Sequence, residues 1–389
     1  MELELIKYIK KFGLDKTVED FKLTVRDYGH KILLKYSQIE SNMSELPVQD
    51  ARGIILEKGT WKVMSLAFRK FFNSAETQAA KIDWDSALIL EKLDGTLIQL
   101  YWDWVIKEWC VGTTGTADGS GEVNNKFGTT FADLFWSTIG KYPGKFYGVD
   151  KMSKDERNER LNEFLNDNFC HVFELTTPYN IVVAPHATSN ATLLAARNVI
   201  TLEELSFDNL AGTAIELDVP LVKVFDINAS NAGHVIATLE GMPFSEEGYV
   251  VVDNKFNRIK IKNPTYVQVH HLKSKTSEHA IMEIVKTNEV EEFAATFPER
   301  REEIFKLKDG FDKLKESLKE TWNELESFKP RNITKEENKR FAMAVFDITG
   351  KKGCKNHTGL FFSLKDGKVG SVEEYLKVYD KFIINPLIS

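Results

Sequence analysis

The spacing of hydrophobic and polar positions changes along this chain. Residues 1–10 mix apolar and charged side chains at helical spacing, which predicts a helix, and mixed strands follow up to residue 50. Between residues 52 and 252, short β-branched and aromatic runs predict a series of strands. These runs are 53–56, 87–90, 97–102, 171–175, 180–183 and 248–252.

Two stretches inside this strand-rich part have a helical pattern. They cover residues 129–139 and 154–169, and in the second of them apolar side chains recur among charged ones. A glycine-rich loop at residues 111–121 precedes both stretches. This part of the chain is therefore predicted to mix strands and helices.

The C-terminal part has few glycines and a higher charge density. Apolar side chains at helical spacing form a stripe over residues 304–325, and Pro330 ends the helix that this stripe predicts. Thr334 and Glu337 have the spacing of a capping box, which predicts the start of another helix. A last helix is predicted from residue 371 or 372 to residue 382.

Together these patterns predict an α+β protein with two domains, residues 1–274 and residues 275–389, the second of them all-α. A chain of 389 residues that is 42% apolar is large enough to bury a core in each domain. No apolar run approaches the roughly 18 residues that a membrane span needs, and the N-terminus lacks the pattern of a signal peptide. We therefore expect no interaction with a membrane.

The three cysteines, Cys110, Cys170 and Cys354, are odd in number and widely spaced. This spacing indicates neither a disulfide framework nor a zinc ribbon, and a reducing cytoplasm fits it best. The net charge of −7 argues mildly against a nucleic-acid binder. It does not exclude one, because binding follows the local field, and Lys255 and Arg258 begin a local basic cluster.

Lys92 is the first candidate for covalent chemistry. It stands in a Lys-Leu-Asp-Gly run directly after a strand-like apolar stretch. A neutral lysine amine at such a place attacks the α-phosphate of a nucleotide and holds the nucleotide covalently. The Asp94-Gly95 turn would fix the direction of the amine. Taken alone, this run is weak evidence and is more typical of an ordinary surface hairpin.

Two glutamates are candidates for partners of this lysine. Glu174 lies between large apolar residues of a predicted strand, where it would accept a hydrogen bond from a ribose hydroxyl. Glu247 precedes a glycine and another strand, where it would orient the lysine amine or contact a divalent metal. The alternatives are a strand-edge glutamate that faces water and a turn residue.

Four cations are candidates for phosphate binding. Lys260 and Lys262 are two residues apart on a predicted strand and would share one face, where they would neutralise an α-phosphate and a leaving pyrophosphate. Arg52 begins a strand, and Lys70 stands beside three phenylalanines. The alternatives are a solvated strand face for the lysine pair and a packed core for the aromatic rings.

The ordered occurrence of these motifs resembles a known family. The order is Arg52-Gly53, residues 70–73 (Lys-Phe-Phe-Asn), residues 92–95, residues 173–174 (Phe-Glu), residues 247–250 (Glu-Gly-Tyr-Val) and residues 260–262. The chain resembles the covalent nucleotidyltransferases, which are the polynucleotide ligases and capping enzymes. It is most similar to the RNA ligase 1 family of the T-even bacteriophages. Tyr266, His270 and residues 341–344, 361–364 and 381–383 extend the resemblance over nearly the whole chain.

The resemblance implies an ATP-dependent RNA ligase of phage origin. Lys92 would take AMP from ATP, pass it to an RNA 5′-phosphate and so prepare that end for attack by a 3′-hydroxyl, in a reaction that would serve the repair of tRNA. Arg52 and Lys70 match positions that hold ATP phosphates, and Tyr36 matches a tyrosine that contacts the nucleotide. Glu174 matches the ribose-binding glutamate.

The resemblance also implies the remaining assignments. Glu247 matches the carboxylate before the Gly-Tyr-Val strand, and Lys260 and Lys262 match paired phosphate lysines. Magnesium is implied as a counter-charge for polyphosphate transfer, and Glu291 and Glu292 match an acidic metal-contacting pair. The implied architecture is an adenylyltransferase domain at residues 1–274, an ATP-grasp-like ligase fold of antiparallel sheets and helices. A helical domain for RNA specificity follows at residues 275–389. A monomer in the host cytoplasm is expected.

Two segments depart from the family pattern. Residues 113–116 lack a lysine that family members usually carry before the glycine of this loop, and residues 178–181 lack a common Asn-Arg pair. Both departures bear on substrate preference and efficiency, and neither touches the covalent chemistry. A DNA ligase, a GTP-using capping enzyme and an RNA-end-binding protein without ligation are the alternative functions. The sequence after Lys262 predicts only helices and no oligonucleotide-binding barrel. This favours an RNA ligase over a DNA ligase or a capping enzyme.

Overall fold

The computed structural model describes most of the chain. The described residues are 2–123, 128–179, 186–243, 245–267, 282, 284–286, 288–296, 300–330 and 334–378, with the backbone alone for 292, 295, 296, 377 and 378. The chain divides into two compact units, Met1–His270 and His271–Ser389. The expected boundary at 274/275 stays a prediction, because it falls outside the described residues.

Three sheets form the framework of the first unit. The first has the order β1-β2-β3-β4, the second β10-β9-β7-β8, and the third β11-β6-β12-β13-β5. The strands are β1 Leu23–Asp27, β2 Lys31–Tyr36, β3 Arg52–Glu57, β4 Val63–Ser65, β5 Phe72–Asn73, β6 Leu88–Glu91, β7 Thr96–Asp103, β8 Glu108–Thr113, β9 Phe169–Thr176, β10 Asn190–Asn198, β11 Val224–Phe225, β12 Gly248–Val252 and β13 Arg258–Lys262. Strand pairs are antiparallel, apart from the parallel pair of β13 and β5.

The first two helices of the first unit precede these strands in the chain, and the others lie between them. They are α1 Glu4–Phe12, α2 Leu14–Phe21, α3 Leu46–Asp50, α4 Phe131–Ile139, α5 Lys154–Asn162, α6 Phe207–Leu217 and α7 Ala232–Ala237. The single N-terminal helix expected from the sequence is two helices, because Gly13 between them has φ 85°, a conformation that favours glycine.

The first and second sheets share one hydrophobic core, which includes Ile32, Ile54, Tyr101 and Val172. The third sheet has a separate core, which includes Ile259 and Ile261. Lys260 and Lys262 alternate with these buried isoleucines along β13 and are only partly buried. The side-chain period of two along a strand therefore places both lysines on the face opposite the isoleucines.

The described part of the second unit consists of helices and contains no strand. They are α8 Val290–Thr296, α9 Arg301–Glu326, α10 Lys335–Lys351, α11 Thr358–Lys365 and α12 Val372–Val378, with a 3-10 turn at Lys355–His357. Apolar residues of these helices, such as Phe311, Phe341 and Phe361, form one core. The prediction of an α+β protein with antiparallel sheets and a helical C-terminal part is confirmed.

One predicted helix is wrong over its second half. The helix expected at residues 154–169 ends at Asn162. The Asn168 N–H donates to the Asn166 side chain over 2.9 Å, and the Phe169 N–H donates to the Asn166 carbonyl over 3.0 Å. Asparagine favours such turns, so the chain turns here and Phe169 begins β9.

The other helix predictions stand close to the observed elements. Helix α4 carries a capping box formed by Thr130 and Asp133, and the Thr334 side chain caps α10 by accepting from the Glu337 N–H. Helix α9 ends at Glu326, before Pro330. The predicted strand at 180–183 and the end of the last helix, residues 379–382, lie outside the described residues. Among the described helices, none combines the length and apolar character that crossing a bilayer requires.

Candidate active site

Lys92 follows the last residue of β6, at the edge where β6 pairs with β12. Its backbone N–H donates to the Gly248 carbonyl over 3.0 Å, and its Nζ lies 2.6 Å from Oε2 of Glu247. The side chain of Lys92 is 20% exposed and that of Glu247 is 7% exposed. The amine therefore lies against a buried carboxylate, which is placed to orient it and to accept a proton from it.

Backbone geometry explains why Glu247 reaches this position. Gly248 has φ 129°, and a Cβ on it would lie 2.3 Å from the Ile261 carbonyl oxygen, so only glycine fits there. The Asn263 N–H donates to the Glu247 carbonyl over 2.8 Å and extends the pairing of β12 with β13. Through this pairing, Nζ of Lys262 lies 3.7 Å from Oε1 of Glu247.

Glu174 lies on β9, with Leu97 of β7 and Thr192 of β10 as its strand partners. The pKa of its carboxyl group is raised to about 7, chiefly because the group is buried. Lys92 lowers this pKa, as do Arg52 and the Gly95 N–H, whereas Glu247 raises it. The side chain keeps some solvent access. Near neutral pH both its protonated and its charged form exist, so it is able to donate or accept a hydrogen bond with a hydroxyl group.

Tyr36, Arg52, Lys70 and Lys260 form a second group, dominated by positive charge. Nζ of Lys70 lies 5.6 Å from the Tyr36 ring centroid. The pKa of Lys70 is lowered, chiefly because the amine is buried. Tyr36 raises this pKa, whereas Lys260 and Arg52 lower it further. Burial raises the pKa of Tyr36, but Lys70, Arg52 and Lys260 outweigh that effect and leave it lowered. Three cations around one phenol suit an anionic ligand such as a polyphosphate.

One donor atom of the Arg52 guanidinium has no hydrogen-bond acceptor in this group. Among the described residues, no hydrogen-bond acceptor reaches the buried Nη1 atom of Arg52. Its guanidinium carbon lies 5.2 Å from the Phe71 ring centroid. A buried donor without a partner costs about 1–3 kcal/mol. A phosphate oxygen would remove that cost.

The glycine-rich loop contacts the site through its backbone. Gly53 has φ 75°, and a Cβ on it would lie 2.6 Å from Cα of Thr114. The hydroxyl groups of Thr113 and Thr116 lie 3.2 Å apart and close the loop on itself. The loop that lacks the family's lysine therefore packs directly behind Arg52-Gly53.

The structure brings the predicted residues of the first unit into two neighbouring groups. Arg52 acts electrostatically on Glu174 in one group and on Tyr36 and Lys70 in the other. The first group is Lys92, Glu174, Glu247 and Lys262, and the second is Tyr36, Arg52, Lys70 and Lys260. Their individual roles remain predictions.

The predicted metal pair lies elsewhere in the chain. Glu291 is a half-buried residue of α8 in the second unit, and the side chain of Glu292 lies outside the described parts. Within the described residues, no three His, Cys, Asp or Glu side chains form a cluster that would hold a metal ion. Metal ligation by this pair stays a prediction.

Two contacts at the Lys92 turn were not expected from the residues alone. The Tyr266 hydroxyl donates to Oδ1 of the buried Asp94 over 2.9 Å, and Nε2 of His186 lies 2.9 Å from the Asp94 carbonyl oxygen. Both residues therefore hold the turn that follows Lys92. Tyr266 was named only through the family resemblance, no sequence signal marked His186, and His270 lies outside the described residues.

Comparisons with known proteins point to one family. The family whose sequence profile matches residues 50–266 is described as RNA ligase. An RNA ligase of Rhodothermus phage RM378 is 26% identical over 379 residues, covering 81% of each chain. A bifunctional polynucleotide kinase/RNA ligase of Autographa californica nuclear polyhedrosis virus, whose name is marked as provisional, is 26% identical over 317 residues. That match covers 76% of this chain and 42% of the viral one.

Solved structures give a weaker likeness. Form 1 of an archaeal ATP-dependent RNA ligase has a TM-score of 0.42 and 11% identity, covering 90% of this chain and 81% of that one. A structure of Naegleria gruberi RNA ligase, a variant with ATP and Mn, has a TM-score of 0.35 and 14% identity, covering 48% of this chain and 51% of that one.

Proposed function

This chain belongs to the RNA ligase family, whose profile matches more than half of it, and we propose that Lys92 is the residue that carries adenylate in its reaction. The proposed enzyme uses ATP to join an RNA 5′-phosphate to a 3′-hydroxyl end. The contact of Lys92 with Glu247 at 2.6 Å is the observation that carries this proposal. It joins a lysine after β6 to a carboxylate before β12, two strands that are distant in sequence.

In the first step, the Lys92 nitrogen attacks the α-phosphorus of ATP. A P–N bond forms, the bond to the leaving pyrophosphate breaks, and Glu247 accepts a proton from the amine. Arg52 and Lys70 bind phosphate oxygens, and Lys260 and Lys262 offset the charge that develops in transfer. Glu174 accepts a hydrogen bond from the ribose, and Tyr36 contacts the nucleotide.

In the later steps, an oxygen of the RNA 5′-phosphate attacks the adenylate phosphorus and Lys92 leaves. The 3′-hydroxyl of the second RNA end then attacks the RNA phosphorus and AMP leaves. Magnesium, when bound, supplies counter-charge to the phosphate oxygens. A site with two carboxylates fits it, because magnesium binds through one or two carboxylates together with substrate phosphates. Glu247 would contact it directly or through water, and Glu291 with Glu292 is the predicted acidic pair.

Radiolabelled ATP tests the proposal. Incubation with magnesium is expected to label the unsubstituted chain covalently, and Lys92→Ala is expected to abolish the label. Lys81→Ala is the matched control, because Lys81 is an exposed lysine that none of the site contacts involves. Labelling of Lys92→Ala at full yield would refute the assignment.

The substrate class is tested by adding nucleic acid to the labelled enzyme. Circles formed from 5′-phosphorylated single-stranded RNA would support RNA joining, whereas labelling by GTP would indicate a capping enzyme and sealing of a nicked DNA duplex a DNA ligase. RNA binding without joining would indicate an RNA-end-binding protein. Action as a monomer in the host cytoplasm, on broken tRNA, is part of the proposal.

A further inference from the structure

A cavity of about 640 Å³ lies next to the group of Tyr36, Arg52, Lys70 and Lys260 in the first unit. Lys70 lines it, so the cavity adjoins the proposed phosphate site directly. Arg69, Phe71, Lys255, Phe256 and Arg258 also line it, together with Glu2, Glu203 and Glu204. Basic side chains interleaved with aromatic rings are typical of surfaces that bind single-stranded nucleic acid.

A continuous series of cations and rings runs from the proposed phosphate site into this cavity. The Arg52 guanidinium carbon lies 5.2 Å from the Phe71 ring centroid, and the Phe71 and Phe68 rings are 6.2 Å apart. The Arg258 guanidinium carbon lies 4.6 Å from the Phe68 ring and 6.0 Å from the Phe256 ring. Arg258 is fixed in this series by Glu204, to which it donates hydrogen bonds of 3.0 and 2.5 Å.

The backbone at Phe256 is unusual for an aromatic residue. Phe256 has φ 62° in the turn between β12 and β13, a left-handed conformation that favours glycine or asparagine and is an outlier for a bulky side chain. Such outliers are found more often at functional sites. The turn therefore holds an aromatic ring in the cavity wall in spite of an unfavourable backbone, with the exposed Lys255 beside it.

The geometry of phosphoryl transfer determines which substrate reaches this cavity. The attacking and leaving groups lie roughly in line through phosphorus. When Lys92 attacks, pyrophosphate leaves from the opposite side, where Arg52 and Lys70 are proposed to hold it. When Lys92 later becomes the leaving group, the RNA 5′-phosphate must attack from that same side. The nucleotide attached to this phosphate then extends past Lys70.

We propose that this cavity binds the first nucleotide of the 5′-phosphorylated RNA strand, with Phe256 and Lys255 as contacts for its base and its next phosphate. The proposal rests on the proposed function, because it uses the attack of an RNA phosphate on the adenylate held by Lys92. In this step a P–O bond forms between the RNA phosphate and AMP. The P–N bond to Lys92 breaks, and the amine departs.

The test separates adenylate formation from its transfer. Lysyl-adenylate is formed first, free ATP is removed, and 5′-phosphorylated single-stranded RNA is added at increasing concentration. Lys255→Glu and Phe256→Leu are expected to raise the half-saturating RNA concentration for AMP transfer about fivefold or more. Formation of lysyl-adenylate from ATP is expected to stay within about twofold of the unsubstituted rate, as an internal check of folding. Leucine keeps the apolar character of Phe256 and removes the aromatic ring on which a base would stack.

Lys107→Glu is the matched control, because Lys107 is an exposed lysine in the turn between β7 and β8. An equal rise with this control would show a general charge effect and overturn the proposal. An unchanged half-saturating RNA concentration for AMP transfer in Lys255→Glu and Phe256→Leu would also overturn the proposal. So would an effect of these substitutions that is confined to the RNA strand with the 3′-hydroxyl. If the unsubstituted chain forms no lysyl-adenylate, the proposed function itself fails.

Discussion

Gly95 lies against Leu175 so closely that no side chain fits between them. A Cβ on Gly95 would stand 2.6 Å from the Leu175 carbonyl oxygen and 3.2 Å from Cγ of Glu174. The turn after Lys92 is thus pressed onto the strand that carries Glu174. The Lys-Leu-Asp-Gly run needs glycine at its fourth position because the backbone of Gly95 lies directly against β9.

Gly95→Ala is therefore expected to separate the Lys92 turn from Glu174. Because small displacements of reacting groups reduce rates strongly, lysyl-adenylate formation is expected to fall about tenfold or more, measured with labelled ATP. Gly212→Ala is the control, since a Cβ on this residue of α6 meets nothing within 4 Å. The control is expected to keep its rate and to gain stability of about 0.5–1 kcal/mol. A normal rate in Gly95→Ala would contradict the close-approach argument.

The raised pKa of Glu174 predicts a pH dependence of stability. The folded chain holds this proton more tightly than the unfolded chain, whose carboxyl has the ordinary pKa of 4.5, compared with about 7 when folded. The contribution to the free energy of unfolding is therefore fully present below pH 4.5 and is lost as pH rises through about 7. The expected loss is at most about 3 kcal/mol.

Glu174→Gln removes this titration. Denaturant unfolding of the ligand-free chain between pH 4.5 and 8 is expected to show a smaller decrease in unfolding free energy for Glu174→Gln than for the unsubstituted chain. Glu203→Gln, at an exposed glutamate, is expected to leave the decrease unchanged. Parallel curves for all three proteins would show that the Glu174 carboxyl is not responsible.

Loss of the Glu247 charge is expected to slow the first step. Glu247→Gln keeps the shape of the side chain but removes the carboxylate that is proposed to orient and deprotonate Lys92, so lysyl-adenylate formation is expected to fall about 100-fold. Glu246→Gln is the adjacent exposed control and is expected to react normally. Equal rates for the two variants, in a single-turnover assay, would exclude Glu247 as the proton acceptor.

Lys70 is expected to contribute to binding of ATP at the expense of stability. It is held near Arg52 and Lys260, and burial lowers its pKa, so the ligand-free site stores like-charge repulsion. Lys70→Met is expected to raise the melting temperature by about 2 °C and the half-saturating ATP concentration about tenfold. Lys81→Met, at an exposed lysine, serves as the control. A lower melting temperature with normal ATP dependence would contradict this interpretation.

The sequence was informative where the signal was local. Period-two spacing placed Lys260 and Lys262 on one face of β13, and the capping residue Thr334 marked the start of a helix. The end of α5 was missed because the helical pattern continues through Asn166, whose turn-forming side chain overrides it. Strand β10 and helix α6 were also missed.

The remaining features depend on residues that are distant in the chain. The Tyr266 hydroxyl and the Asp94 carboxylate are 172 positions apart, and no local pattern links them. The isolated Nη1 atom of Arg52 is likewise a property of packing, because only the folded surroundings determine which acceptors reach it. Local spacing therefore identified candidate side chains, while their partners required the fold.

The pairing of β6 with β12 has a consequence for synthesis of the protein. Leu88 faces Val252 across this pair, with roughly 160 residues between them. A nascent chain on the ribosome would carry Lys92 long before Glu247 and β13 emerge to complete its surroundings. Under the proposed role of Lys92, incomplete polypeptides are not expected to react with ATP, and covalent labelling would report that the first unit has folded.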